Sequence, residues 1–223
     1  MKIIVLNGSP KGDVSVTMHY VHYIQKYFPD HEFKFINISQ RIHKIAKDEK
    51  TFRDVMDDVR SADGVLWAFP VYVCLVPGQF KRFIEMIGEK NAADAFRGKY
   101  AAVLTTSVHF YDHTAHNYMH AVCDDLGMKY TGFYSAEMYD LMKDSERKRL
   151  LLFAGDFISS IKDRVSTART YHPSDKNHIS YIPVSSGQTC DLEGKKLLII
   201  TDAKDDQSNL ARMVERFRST FTE

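Results

Sequence analysis

The sequence predicts an α/β fold built on a parallel sheet, and three observations carry that prediction. An unbroken apolar run at Ile3–Leu6 and largely apolar runs at Gly64–Phe69 and Tyr100–Thr106 mark strands buried on both faces. Segments with apolar residues at helical spacing separate them, so strand and helix alternate and imply right-handed βαβ units. The loops that follow the runs are unusual in composition, and open parallel sheets bind ligands at the carboxyl ends of their strands.

The chain opens with Lys2–Thr17, KIIVLNGSPKGDVSVT. After the Ile3–Leu6 strand, Asn7-Gly8-Ser9-Pro10 turns the chain sharply, and Lys11, Gly12, Ser15 and Thr17 follow. A strand that feeds a helix N-terminus through such a loop makes an anion site, because free backbone N–H groups and the helix dipole point at it. The alternative is a hydroxyl-rich helix cap without a ligand. Met18, Val21, Ile24 and Phe28 then recur at helical spacing up to Pro29-Asp30. Glu32–Ile38 alternates polar and apolar, as a strand near the sheet edge does. A helix on Phe52, Val55, Met56 and Val59 precedes the Gly64–Phe69 strand, which Pro70 breaks. Pro77 stands at the start of a helix on Phe80, Phe83, Ile84 and Ile87. The Tyr100–Thr106 strand runs into a His- and aromatic-rich loop and a helix to about Leu126. Lys129–Glu137 reads as the fifth strand and Ser145–Val165 as a long helix.

Beyond that helix the character changes. Residues 168–194 carry Pro173, Pro183, several serines and Gly187 with little periodicity, and read as a linker or arm. Lys195–Asp202 is apolar enough for a buried strand, and a helix on Leu210, Met213, Val214 and Phe217 follows. Residues 195–223 thus form a strand–helix extension, or the start of a truncated second unit of the same kind. Three acidic side chains (Asp202, Asp205, Asp206) argue against phosphate binding there. The expected organisation is a ligand-binding domain over 1–167, then the arm, then the extension.

Composition narrows the function. The 223 residues are 44% apolar, enough for a sizeable core. A net charge of +1 argues against a general nucleic-acid footprint. Cys74, Cys123 and Cys190 are widely separated, so neither a disulfide framework nor a cysteine metal cluster is indicated. No signal peptide or membrane-spanning run stands out, and the reading is a cytoplasmic protein without a membrane partner.

Three strand-end loops combine into one ligand shape. Gly8–Thr17 offers the anion cradle. Pro70–Gly78 offers a flat apolar wall bearing Tyr72, and Thr106–His113 adds hydrogen-bonding groups and aromatics. The first loop is neither G-x-x-x-x-G-K-[ST] nor G-x-G-x-x-G. Its hydroxyls and single Lys suit a terminal monophosphate, and a phosphate tail joined to a planar heteroaromatic ring points to flavin mononucleotide (FMN).

The motifs V-L-N-G-S-P-K-G-x-x-S-x-T, A-D-G-V-x-x-x-x-P-V-Y and V-P-G-Q-F-K-R-F-I-E, in this order over roughly residues 1–165, resemble the NAD(P)H-dependent FMN reductases and multimeric flavodoxin-like oxidoreductases, including the iron–sulfur flavoproteins. The resemblance implies a flavodoxin-like open five-stranded parallel sheet of order 2-1-3-4-5 with helices on both faces. It implies that Ser9, Lys11, Ser15, Val16 and Thr17 hold the FMN phosphate, and that Pro70, Val71, Tyr72 and Val73 line the isoalloxazine. Thr106, Ser107 and His109 would lie near the ring. NAD(P)H would be the co-substrate, a quinone, flavin or other redox partner the acceptor, and a homodimer or homotetramer the assembly. Iron–sulfur members carry a compact cysteine cluster where Arg41–Ser61 here contains no Cys, so no cluster is expected.

In such an enzyme the flavin does the chemistry and no protein residue need be catalytic; His109 or the Ser107 hydroxyl would tune the ring as a donor. His109, His113, His116 and His120 have no Cys or H-E-x-x-H companion, so no metal site is expected. His116 and His120 are expected to cap or pack. Cys74 reads as a small hydrophobe, and Trp67 and Phe69 as core. Two other readings are an electron carrier inactive with nicotinamide and a ligand-free module that keeps the fold. The near-neutral charge tells against the carrier.

Overall fold

The structure, a computed structural model, describes residues 1–172, 180–184, 187, 189–203 and 205–222. Two compact units divide the chain, Met1–Ser174 and Asp175–Glu223.

The first unit is an open parallel sheet of β1 (Lys2–Asn7), β2 (Glu32–Asn37), β3 (Gly64–Pro70), β4 (Tyr100–Thr106) and β5 (Lys129–Ala136) in the order β2-β1-β3-β4-β5. This is the flavodoxin-like order 2-1-3-4-5. Strand periodicity sends alternate β1 residues to opposite faces. Ile4 and Leu6 pack with α2 (Ile38–Lys47), α3 (Glu49–Arg60), α4 (Gly78–Glu89) and α5 (Asp112–Asp125), through Ile42, Phe52, Phe83 and Met119. Ile3 and Val5 pack on the other face with α1 (Val16–Tyr27) and α6 (Asp144–Lys162), through Met18, Val21, Phe157 and Ile161. Both faces are covered, which is why the middles of β1, β3 and β4 are apolar without alternation. Trp67 and Phe69 lie fully in the core.

Helix α2 follows β2 without a loop and was not expected. Ile38, Ile42 and Ile45 lie at helical spacing and are buried, but the run begins on the last residue of an alternating strand pattern and reads as its continuation. Pro70 ends β3 from within, paired with Thr106, and Pro77 caps α4 from just outside it.

In the second unit, β6 (Cys190–Asp191) pairs in parallel with β7 (Phe221–Thr222), and α7 (Asn209–Arg218) lies between them in sequence. Lys195–Asp202 forms no strand. Leu198 and Ile200 are 81% and 88% exposed. An apolar run becomes a strand only where a ladder partner satisfies its backbone, and the only ladder among the described residues of this unit is two residues long. The extension therefore keeps its helix but lacks the strand expected over Lys195–Asp202. Of the expected arm, Thr170 and Tyr171 donate their amides to the buried Asp124 carboxylate and belong with the first unit. Residues 173–179, 185, 186 and 188 of that arm lie outside the described residues. Among the described residues, no helix is long and apolar enough to cross a membrane.

Candidate functional site

The connection direction reverses between β1 and β3, and this is where an open α/β sheet leaves a crevice at its carboxyl edge. A cavity of about 540 Å³ opens there, lined from four strand-end loops. Its size lies within the roughly 300–1,000 Å³ of small-molecule sites.

The first loop is shaped by side chains that replace missing backbone partners. Asn7 Oδ1 accepts from the Ser9 amide (2.9 Å), and Ser9 Oγ from the Lys11 amide (3.2 Å). Ser15 caps α1 by accepting from the Met18 amide (3.3 Å). Ser39 donates to the Gly8 carbonyl (2.7 Å), and Asn37 joins Asn7 to Asp13. Because Ser9 and Ser15 use their oxygens as acceptors, their hydroxyl protons remain to be donated. Among the described residues, no acceptor takes the amides of Val16 or Thr17, and Lys11 makes no ion pair. Free amides at a helix N-terminus, two hydroxyl donors and one ammonium form a donor set for a small anion.

The later loops supply walls and are stitched to the first. Thr106 is the hub: its hydroxyl pairs with that of Thr17 (2.7 Å), and its carbonyl accepts from the Val71 amide (2.9 Å). Ser107 donates its amide to Ala136 (2.9 Å), and Thr114 donates to the Cys74 carbonyl. Tyr72 and Leu75 exchange two hydrogen bonds across a tight turn whose tip, Val73 and Cys74, is left-handed (φ 47° and 65°).

Of the twelve residues singled out from the sequence, the cavity brings ten together: Ser9, Lys11, Ser15, Val16, Thr17, Pro70, Val71, Tyr72, Thr106 and Ser107. Val73 and His109 are not among its lining residues. Val73 sits at the tip of the turn, 96% exposed. The His109 ring is drawn instead to Asp112, with Nδ1 3.1 Å from Oδ2, on a left-handed backbone (φ 56°). Four lining residues were not anticipated: Val108, Glu137, Met138 and Tyr139. The last three belong to the loop after β5, whose composition carries no glycine or hydroxyl signal.

Beside the cavity, Asp112 Oδ2 accepts from Ser135 Oγ (2.7 Å), Ser107 Oγ (3.1 Å) and His109. Partial burial would raise this carboxyl, but the hydrogen bonds from Ser135, His109 and Ser107 outweigh it and hold it down to about 2. Its stabilising effect is therefore present above the unfolded value near 4 and is lost as pH falls toward 2. Asp112→Asn is expected to cost about 2 kcal/mol at pH 7, with the difference from wild type vanishing near pH 2 in urea titrations.

His116 and His120 pack, as expected. His116 is buried, bonded to Thr105 Oγ1 (2.9 Å) and stacked on Phe133 at 4.0 Å; His120 stacks on Tyr130. A larger hollow of about 710 Å³ in the second unit is walled by Asp205, Asp206, Arg212, Glu215 and Arg216. Its helix α7 buries no residue.

A family model described as NADPH-dependent FMN reductase matches residues 1–136. No curated protein sequence matches the chain. Among solved structures, an NADH:FMN oxidoreductase in its apo form superposes with a TM-score of 0.60 at 20% identity, over 71% of this chain and 89% of that one. An oxidoreductase from Corynebacterium diphtheriae gives 0.57 at 13% identity, over 73% and 98%. The NAD(P)H:acceptor oxidoreductase of Paracoccus denitrificans gives 0.55 at 20%, over 73% and 97%. At these identities the likeness is one of fold.

Proposed function

This chain belongs to the NADPH-dependent FMN reductase family, and from that premise we propose that FMN binds in the four-loop cavity and that electrons taken from NAD(P)H leave to a small-molecule acceptor, a quinone or a flavin. The observation that carries this reading is the polarity of the cavity. Unengaged donors gather on Ser9–Thr17, and Pro70, Val71, Tyr72 and Val108 add apolar surface, with the polar Thr106 and Ser107 beside them. A phosphate tail on a flat ring has that distribution.

In this reading the Val16 and Thr17 amides, the Ser9 and Ser15 hydroxyls and the Lys11 ammonium hold the phosphate. Pro70, Val71 and Tyr72 support the ring, and Thr106 and Ser107 meet its polar edge. Bound FMN supplies the centre that accepts hydride and releases electrons. The protein's part is to bind, orient and desolvate. Asp112 accepts from the Ser107 hydroxyl, so that group meets the ring already oriented. The exposed apolar rim formed by Tyr72, Val73, Val108, Phe110 and Tyr111 supports a homodimer or homotetramer, and the net charge of +1 supports a partner other than nucleic acid.

The test is the visible spectrum of the protein with added FMN, before and after NADPH or NADH. Bleaching of the flavin band on mixing is expected. A protein that takes up FMN yet is not bleached by either nucleotide would instead be an electron carrier, and one that takes up none would be a ligand-free module. Ser9→Ala should weaken FMN about 5- to 30-fold by titration of flavin fluorescence, a loss of about 1–2 kcal/mol. Unchanged affinity would remove the phosphate from this loop.

A further inference from the structure

The loop between β5 and α6 is tied down by hydrogen bonds from α1, from within the loop and from α6. The Tyr20 hydroxyl donates to the Glu137 carbonyl and accepts from the Leu141 amide (3.2 Å). Asp140, itself buried, accepts from the Glu137 amide and from Lys143 Nζ (both 2.8 Å). From α6, Arg147 donates to the Leu141 carbonyl (2.9 Å). Tyr20 is 1% exposed, and its burial raises the phenol above its ordinary value, so the hydroxyl stays protonated and can donate.

What this clamp presents is Met138 and Tyr139, both in the cavity lining and 60% and 66% exposed. Large apolar side chains kept open in a cleft by a fixed backbone form a preorganised contact surface. The third lining residue of the loop is Glu137, whose carboxylate disfavours an anion. Tyr20 lies one turn along α1 from Thr17, so one helix carries the anion cradle at its start and fixes this wall one turn later.

We propose that Tyr20 is a positioning residue that sets the β5–α6 loop as the acceptor-selecting wall, with Met138 and Tyr139 as specificity-determining side chains for an uncharged aromatic acceptor. The inference rests on the FMN reading above. It is tested with Tyr20→Phe, which keeps the ring in the core and removes only the hydroxyl, and with Arg147→Met, which loosens the same loop from α6.

Amide exchange of Leu141 and Glu137, followed without cofactor, should quicken at least tenfold in Tyr20→Phe. In the FMN-loaded protein, KM for 2-methyl-1,4-naphthoquinone should rise at least fivefold while kcat changes less than twofold, and the Kd for FMN should stay within twofold. Arg147→Met should move the same quantities in the same direction by less. Unchanged exchange would show that the hydroxyl does not hold the loop. Faster exchange with an unchanged quinone KM, or a weakened FMN Kd accompanying the raised KM, would remove the wall from acceptor selection. If the wild type takes up no FMN, the acceptor assignment falls with the earlier reading, while the exchange data still decide the clamp.

Discussion

Gly8→Ala is expected to destabilise the protein by about 3 kcal/mol and to disorder the first loop of the cavity. A Cβ on Gly8 would stand 2.5 Å from Cδ1 and Cγ of Phe80 and 2.8 Å from Cε1. The Phe80 ring cannot step aside, because it is fully buried and packs against Trp67, Phe69 and Phe83, with ring centroids 5.8, 5.6 and 6.5 Å away. The glycine cannot step aside either. Its amide donates to Ala68 (2.8 Å) and its carbonyl accepts from Ser39 (2.7 Å). Overpacking of a dense core typically costs 1–3 kcal/mol, and the pinned backbone puts this site at the upper end. For a chain of this size the melting temperature should fall by roughly 6–12 °C. Phe80→Leu added to Gly8→Ala should recover part of the loss. A melting temperature within about 1 °C of wild type would show that the β1 turn and α4 are not in contact as described.

The second large effect is a loss of stability in mild acid centred on His116. Burial lowers its pKa to about 4; the charge of Asp112 works against this, and His109 and His113 add to it. The folded protein therefore holds this imidazole neutral while the unfolded chain protonates it near 6.5. Between those values the unfolded state binds more protons, so stability falls as pH drops from about 6.5 to 4, by about 3 kcal/mol in all. Urea titrations across that range should show the slope, and His116→Gln should flatten it while lowering stability at pH 7. The glutamine loses the ring that stacks on Phe133. A variant with the wild-type slope would place the acid sensitivity elsewhere, since Asp112 contributes only below about pH 4.

The site was legible in the sequence as far as its signals were local. A hydroxyl-rich turn after a buried strand, a proline-bracketed loop and a Thr-Ser pair at a strand end are each visible within a few residues. His109 looked like part of the site because it is two residues beyond Ser107, yet a left-handed backbone and the Asp112 carboxylate take its ring out of the lining. Val73 follows Tyr72, but a two-residue turn makes it the tip. Glu137, Met138 and Tyr139 carry no local signal, because their loop is fixed by Tyr20 and Asp140, partners 117 and 3 positions from Glu137.

Local pattern was enough to specify the layered α/β body, the hydroxyl-rich turn after its first strand and a place in the NADPH-dependent FMN reductase family. Apolar runs and helical spacing are short-range patterns that burial enforces wherever they occur. Long-range packing had to settle which side chains share the cavity, that Lys195–Asp202 stays out of any sheet, and that Tyr20 of α1 hydrogen-bonds the loop after β5. Those outcomes depend on which distant groups satisfy each other's hydrogen bonds and fill each other's space, and such pairings are made only once the strands have taken their places side by side.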